Sequence, residues 1–187
     1  MGRTAQIGRA AILEAALNIA DDQGLDAVTM HAVARRLQVT PMALYRHVAS
    51  KAALLDGLVE ALLTEFPLPA RELPWDERLT ALASGIRATA RRHPGVFPLL
   101  LSRPTVTQTA LHVGDIIYAA LRQAGVAEPD VARTERLLST AVLGFAVSEA
   151  AGRFRRHDQT VTDEDFAQLQ RWLRCLLPPD PPHRASS

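Results

Sequence analysis

The sequence predicts an all-α protein. Apolar residues recur at three- and four-residue spacing along most of the chain, no long alternating pattern argues for strands, and proline and glycine break the helical pattern into helix-length pieces. Aromatic residues make up only 5% of the 187.

Taken in order, the first helix is expected from about Gly8 to Gln23, with Ile12, Leu13, Ala16, Leu17 and Ala20 as its apolar stripe and Gly24 as its stop. Thr29 offers an N-cap for a short helix, Met30 to Leu37, that turns Val33, Ala34 and Leu37 inward. "QVT" (38–40) reads as a tight turn. Thr40 caps the next helix, Pro41 to about Val48; proline suits its first position because no N–H is needed there. Ser50 caps a longer helix carrying Leu54, Leu55, Leu58, Leu62 and Leu63. The stretch FPLPARELP (66–74), with three prolines, marks a boundary between segments.

Trp75 to Arg92 is amphipathic, with Leu79, Leu82, Ala83, Ile86 and Ala90 on one face. HPGVFPLLLSRP (93–104) reads as a short helix between proline breaks, and Thr107 to Ala124 as a helix stopped by Gly125. A long helix is expected from Pro129 to about Phe154, ending in a solvated basic run, GRFRRH (152–157). Thr162 is expected to cap a last helix to Leu177, with Asp163, Glu164 and Asp165 in its first turn, where the helix dipole favours acids. The tail PPDPPHRASS (178–187) is expected to be disordered.

Composition narrows the function. Cys175 is the only cysteine, so no intramolecular disulfide forms, which suits a reducing compartment. No apolar run reaches the roughly 18–20 residues of a membrane span, and the N-terminus MGRTAQIGRA has no apolar signal core. A soluble, cytoplasmic protein with no membrane partner is expected. An enzyme finds no support: there is no glycine-rich phosphate loop, nucleophile motif or clustered carboxylate set. The six histidines (31, 47, 93, 112, 157 and 183) include no pair at metal-ligand spacing, so neither metal nor cofactor is expected.

The net charge is only +1, but its distribution is uneven. From Ala27 to Leu55 there is no acid, while Arg35, Arg36, Arg46 and Lys51 are present. Of 21 basic residues, Lys51 is the single lysine. The helices of this stretch form a helix-turn-helix pattern. Leu44 and Val48 would face the core, leaving Thr40, Pro41, Met42, Ala43, Tyr45, Arg46 and His47 on the open side of the second helix. That face suits a DNA major groove: Arg46 can bond guanine in a fork, and Met42 or Ala43 can touch thymine methyls. Thr40 and Tyr45 carry hydroxyls suited to phosphates, Thr29 stands at a helix N-terminus that attracts them, and Arg35 adds charge. Tight turns between helices also occur in proteins that never meet DNA; the acid-free stretch favours DNA, because phosphate charge dominates affinity.

Residues 12–62, ILEAALNIADDQGLDAVTMHAVARRLQVTPMALYRHVASKAALLDGLVEAL, resemble the N-terminal domain of the TetR family of bacterial transcriptional repressors. The alanine-rich first helix, the glycine, the capping threonine, VARRLQV, ALYRHV and SKAALLDGL carry the likeness. RRHPGVFPLLLSRP and LLSTAVLGFAVSEA are similar, more loosely, to the ligand-binding domain of the tetracycline-repressor branch. The resemblance implies a DNA-binding domain over 1–50 with a connecting helix (50–66), a helical ligand-binding and dimerisation domain over 67–177, and a homodimer on a palindromic operator. It also implies that a small ligand moves the helix Ser50 to about Phe66 and releases DNA, with Arg103-Pro104 as the linking turn. Lys51 matches a lysine common in the family at this place, and its ammonium beside the cap Ser50 suits a single phosphate oxygen.

For the ligand, the resemblance points to a pocket of Leu62, Phe66, Leu82, Ile86, Phe97, Leu100, His112, Ile116 and Phe145, with Arg103 and His112 as polar anchors. The matching drug-contacting positions (Phe66 or Pro67, Leu82, Ile86, Leu99) are apolar, and VFPLLLSRP lacks the metal-binding histidine. This argues against a magnesium–tetracycline chelate and for a lipophilic or aromatic effector. A dimer seam is expected from small residues of the long helix (Ala141, Gly144, Ser148, Ala151) and from Phe166, Leu169, Leu173 and Leu176 of the last. A helical ligand-binding protein with a vestigial DNA reader is the alternative. It predicts acids or prolines inside the reader helix and loss of the phosphate-facing lysine, neither of which is seen.

Overall fold

The computed structural model describes residues 8–103, 107–154 and 158–178. Among them every regular element is helical: α1 (Arg9–Gln23), α2 (Met30–Arg36), α3 (Pro41–Tyr45), α4 (Lys51–Thr64), α5 (Trp75–Arg92), α6 (Leu99–Ser102), α7 (Gln108–Gln123), α8 (Glu128–Ala150) and α9 (Gln159–Cys175), with one 3₁₀ turn at Leu25–Ala27. None of these helices is long and apolar enough to cross a membrane.

The described residues fall into two compact units. The first takes Met1–Glu65 and Arg92–Thr107, the second Phe66–Arg91 and Gln108–Ser187. In the first unit α1 packs on α2 and α4, α2 on α3, and α4 on α6. Ile12, Ala16 and Ile19 of α1, Val33 and Ala34 of α2, Leu44 of α3, and Leu54, Leu58 and Leu62 of α4 are all buried. Gly24 ends α1 at φ 85°, a left-handed value glycine adopts without strain, and its N–H closes on the Ala20 carbonyl at 2.8 Å.

Residues 92–103 and 107 cluster with this first unit, while the expected ligand-binding domain over 67–177 runs through them. Their contacts show why they cluster there. Val96 and Phe97 are fully buried, His93 pairs with Asp21 of α1, and a Cβ on Gly95 would overlap the Ala20 carbonyl oxygen. Glycine at 95 is what lets the turn press onto the end of α1.

In the second unit α7 packs on α8 and α8 on α9. Gln170 of α9 donates to the Thr80 carbonyl of α5 at 3.2 Å and to Ser84 Oγ at 3.1 Å. Arg87, buried on α5, ties three helices together. It forks onto Glu149 of α8 at 2.7 and 2.6 Å, reaches Asp163 of α9 at 2.7 Å, and lies 4.8 Å from the Phe166 ring centroid and 5.6 Å from that of Phe145. Burial opposes this charge, but the bonds to Glu149 and then Asp163 outweigh it and raise the Arg87 pKa. The Gln159 hydrogen bond, then Arg87, hold the Asp163 carboxyl below its ordinary range.

Three helix ends differ from the sequence reading. α9 begins earlier, because Asp158 is the cap: its carboxylate accepts from Thr160 N at 3.4 Å. Thr162 is buried inside the helix and donates to the Asp158 carbonyl, so Asp163, Glu164 and Asp165 stand past the first turn. α8 stops at Ala150, where Gly152 takes φ 75° and turns the chain. α3 closes at Tyr45, and Val48 is held only by a turn bond to the Leu44 carbonyl. Arg155, Arg156 and His157 of the basic run, Pro104, and residues 179–187 of the tail lie outside the described residues.

Candidate functional site

The first candidate is the outer face of α2, α3 and the start of α4. Thr29 caps α2, its hydroxyl accepting from Ala32 N at 3.0 Å. The turn to α3 closes through Gln38, whose φ of 57° is left-handed, and through Val39 N to the Ala34 carbonyl at 2.9 Å. Gln38 accepts this strained conformation to make the turn tight enough to set α3 beside α2. Thr40 precedes Pro41 at the first helical position and makes no side-chain capping bond, so its hydroxyl is not spent on the helix.

The heptad logic of α3 sorts its side chains cleanly. Leu44 is 0% exposed and Val48 is buried, whereas Met42 is 70% exposed. Thr40, Tyr45, Arg46 and His47 are also exposed, and Pro41 and Ala43 are half-buried. Ser50 caps α4 by accepting from Ala53 N at 3.1 Å, which leaves exposed Lys51 as the first helical residue. Arg35 is exposed on α2; its neighbour Arg36 is paired with Asp22 at 3.3 Å. Among the described residues no carboxylate pairs with Arg35, Arg46 or Lys51, so their charge is available to an outside anion. The sequence-derived DNA residues therefore all belong to the first unit and are exposed or half-buried there.

The second candidate is a cavity of about 300 Å³ in the second unit, walled by α5, α7, α8 and α9. Leu79, Leu82, Ala83 and Ile86 of α5, Ile117 of α7, Leu138 and Val142 of α8, and Leu173 of α9 make it largely apolar. Ser139 and Gln170 add hydrogen-bonding groups. At its rim Arg174 pairs with Asp76 at 2.6 Å and lies 5.5 Å from the Trp75 ring centroid.

Of the ten sequence-derived ligand residues, Leu82 and Ile86 line this cavity. Phe66 and Ile116 are buried elsewhere in the second unit, His112 is half-buried on α7, and Phe145 stacks between Phe154 and Phe166 at 5.2 Å from each. Leu62, Phe97, Leu100 and Arg103 belong to the first unit, where Arg103 holds Asp56 of α4 at 2.7 Å. The cavity residues missed were visible only in part. The α5 stripe and Leu173 showed in the helical periodicity, but nothing in the sequence told which helices would face across a gap. Among the described residues no three His, Cys, Asp or Glu side chains stand together as a metal would need.

One unit thus carries a helix-turn-helix with exposed basic residues, and the other, in the same chain, holds an apolar cavity. Residues 12–58 match the tetR family of bacterial regulatory proteins, and residues 79–172 match the tetracyclin repressor-like C-terminal domain. The chain belongs to the TetR family. It is 29% identical over 161 residues to the HTH-type transcriptional repressor DrrR1 of Streptomyces coeruleorubidus, covering 85% of this chain but only 60% of that protein. It is 31% identical to the tetracycline repressor protein class C of Escherichia coli, over 91% of this chain and 82% of that one. Among solved structures, Mycobacterium smegmatis BioQ superposes with a TM-score of 0.74 at 28% identity, covering 89% of this chain and 95% of BioQ. BioQ has also been solved with its natural double-stranded DNA operator, at a TM-score of 0.73 and 28% identity over 91% of this chain and 99% of BioQ.

Proposed function

We propose that the chain is a cytoplasmic transcriptional repressor that binds a palindromic operator as a homodimer and is released by a small, mostly apolar effector. The observation that carries this reading is the exposed, acid-free face of α3, with Arg46 and Lys51 following it and paired with no carboxylate among the described residues. Thr40 to His47 meet the major groove; Ser50 and Lys51, with Thr29 and Arg35, grip the backbone. The structure of BioQ on its operator supports this use of the face.

The dimer is supported by exposed apolar side chains on α8, on α9 and at the C-cap of α9: Leu137 is 64% exposed, Trp172 63% and Leu176 72%. On α8, a Cβ at Gly144 would meet nothing within 4 Å, which leaves room for a second helix. The two reading helices of such a dimer reach half-sites about 34 Å apart. The effector site we favour is the α5–α7–α8–α9 cavity, whose apolar wall and few polar groups suit an aromatic or lipophilic molecule. The effector acts only through its preference for the released state. Phe66, His112, Ile116 and Phe145, which belong to the same unit, are further candidates for effector contact.

The test pairs a thermal-shift screen of lipophilic compounds with release of duplex DNA. A compound that raises the melting temperature and lowers DNA affinity supports the reading. If every stabilising compound leaves DNA affinity unchanged, the effector part of the reading fails.

A further inference from the structure

One cluster in the first unit is absorbed by neither site. His93, the residue after α5, is 8% exposed and stands between two carboxylates from different helices. Its Nδ1 is 2.6 Å from Asp21 Oδ2 on α1, and its Nε2 is 3.1 Å from Glu65 Oε1 at the C-cap of α4. Glu65 also accepts from Arg92 at 2.5 Å. The other oxygen of Asp21, Oδ1, is buried with no hydrogen-bond partner among the described residues. The backbone holds the ring in place: the His93 carbonyl accepts from Val96 N at 3.2 Å and Phe97 N at 2.9 Å, while Gly95 lies against the Ala20 carbonyl.

We propose that His93 is a positioning residue for DNA binding, a proton-dependent tie that fixes the C-terminal end of α4 to α1. Two carboxylate acceptors at the two ring nitrogens are both satisfied only when both nitrogens carry hydrogen. A neutral ring keeps one N–H. Asp21, at the shorter distance and with no other bond, retains it. The Nε2 lone pair then faces Glu65, which still has Arg92, and the tie from α4 to α1 opens.

The consequence reaches the DNA face because α4 carries Lys51 at one end and Glu65 at the other. Freeing the Glu65 end lets the helix tilt and moves Lys51 away from its phosphate. The groups facing His93 are Asp21 from α1, Glu65 from α4 and, through Glu65, Arg92 from the end of α5. Asp22, next on α1, is paired with Arg36. His31 and His47 are exposed histidines of the same unit, so the test is made as a difference between variants.

This inference rests on the DNA-binding reading, and the experiment separates the two. A duplex selected by the chain from random DNA is titrated at about pH 6 and about pH 8.5 with the natural chain, with His93→Gln and with Glu65→Gln. The natural chain is expected to lose at least about fivefold more affinity across this range than either variant. Glu65→Gln is the safeguard against a His93 variant that fails to fold, because a glutamine amide can serve either protonation state of the ring. Equal pH dependence in all three overturns the inference while leaving DNA binding intact. If no duplex is ever selected, the DNA-binding reading fails, and ¹⁵N shifts of the His93 ring still decide the tie. Two protonated nitrogens at about pH 6 support it; one protonated nitrogen contradicts it.

Discussion

At the scale of single residues, the account rests on which charges are free. Arg36, Arg87, Arg92, Arg103, Arg122 and Arg174 are all paired with carboxylates, whereas Arg46 and Lys51 have no carboxylate partner among the described residues. Their expected roles differ, and so do the expected losses. Arg46→Ala should relax preference at one base position and cost about 1–3 kcal/mol there, measured by binding to a set of single-base operator variants. A loss spread evenly over all sequences contradicts base reading by Arg46. Lys51→Ala should instead weaken binding to every sequence alike and reduce the slope of log affinity against log salt by about one unit. The exposure of Arg46 was legible in the sequence because a short helix with a proline start leaves little freedom. Once Leu44 and Val48 point inward, the positions between them must point out.

At the scale of elements, the capped helices were the most legible and the connections the least. Thr29 and Ser50 cap as their sequence context predicts, since each is a hydroxyl followed by a helix-competent run. The start of α9 was misread because Asp158 and Thr162 are both competent caps, and periodicity alone does not choose between them. Binding of Asp163 by Arg87 favours the earlier start, because it places Asp163 a full turn inside the helix. The clustering of residues 92–103 with the first unit was not legible either. It depends on Gly95 and His93 meeting the end of α1, a contact some 70 residues distant in sequence. Gly95→Ala should therefore cost about 1–3 kcal/mol by overpacking against a backbone carbonyl, read from urea unfolding. An unchanged midpoint removes that contact from the account.

Acid provides a second element-scale test. The Asp163 carboxyl titrates below its ordinary value of 3.8. A depressed folded value adds stability that is fully present above 3.8 and is lost as the pH falls through the lower folded value. The melting temperature should thus fall more steeply below about pH 4 in the natural chain than in Asp163→Asn. Matching acid limbs in the two proteins rule out this contribution.

At the scale of the whole molecule, the fold class was legible and the cavity was not. Helical periodicity and breakers are local properties, so an all-α chain announces itself. A cavity is a property of which faces meet, and Trp75, Ile117, Leu138 and Leu173 join across four helices only after folding. Filling the cavity tests its assignment. Ala83→Phe should keep DNA binding within about threefold and abolish the thermal shift caused by the effector. A variant that binds the effector as before moves the site elsewhere.

The central claim, that this chain reads DNA sequence through α3, is tested most directly by one titration. A duplex carrying the selected palindrome and a scrambled duplex of equal length and composition are compared at physiological salt by fluorescence anisotropy. The account predicts that the palindrome binds at least about 10³-fold more tightly, with both affinities falling as salt rises. Equal affinity for the two duplexes would contradict it.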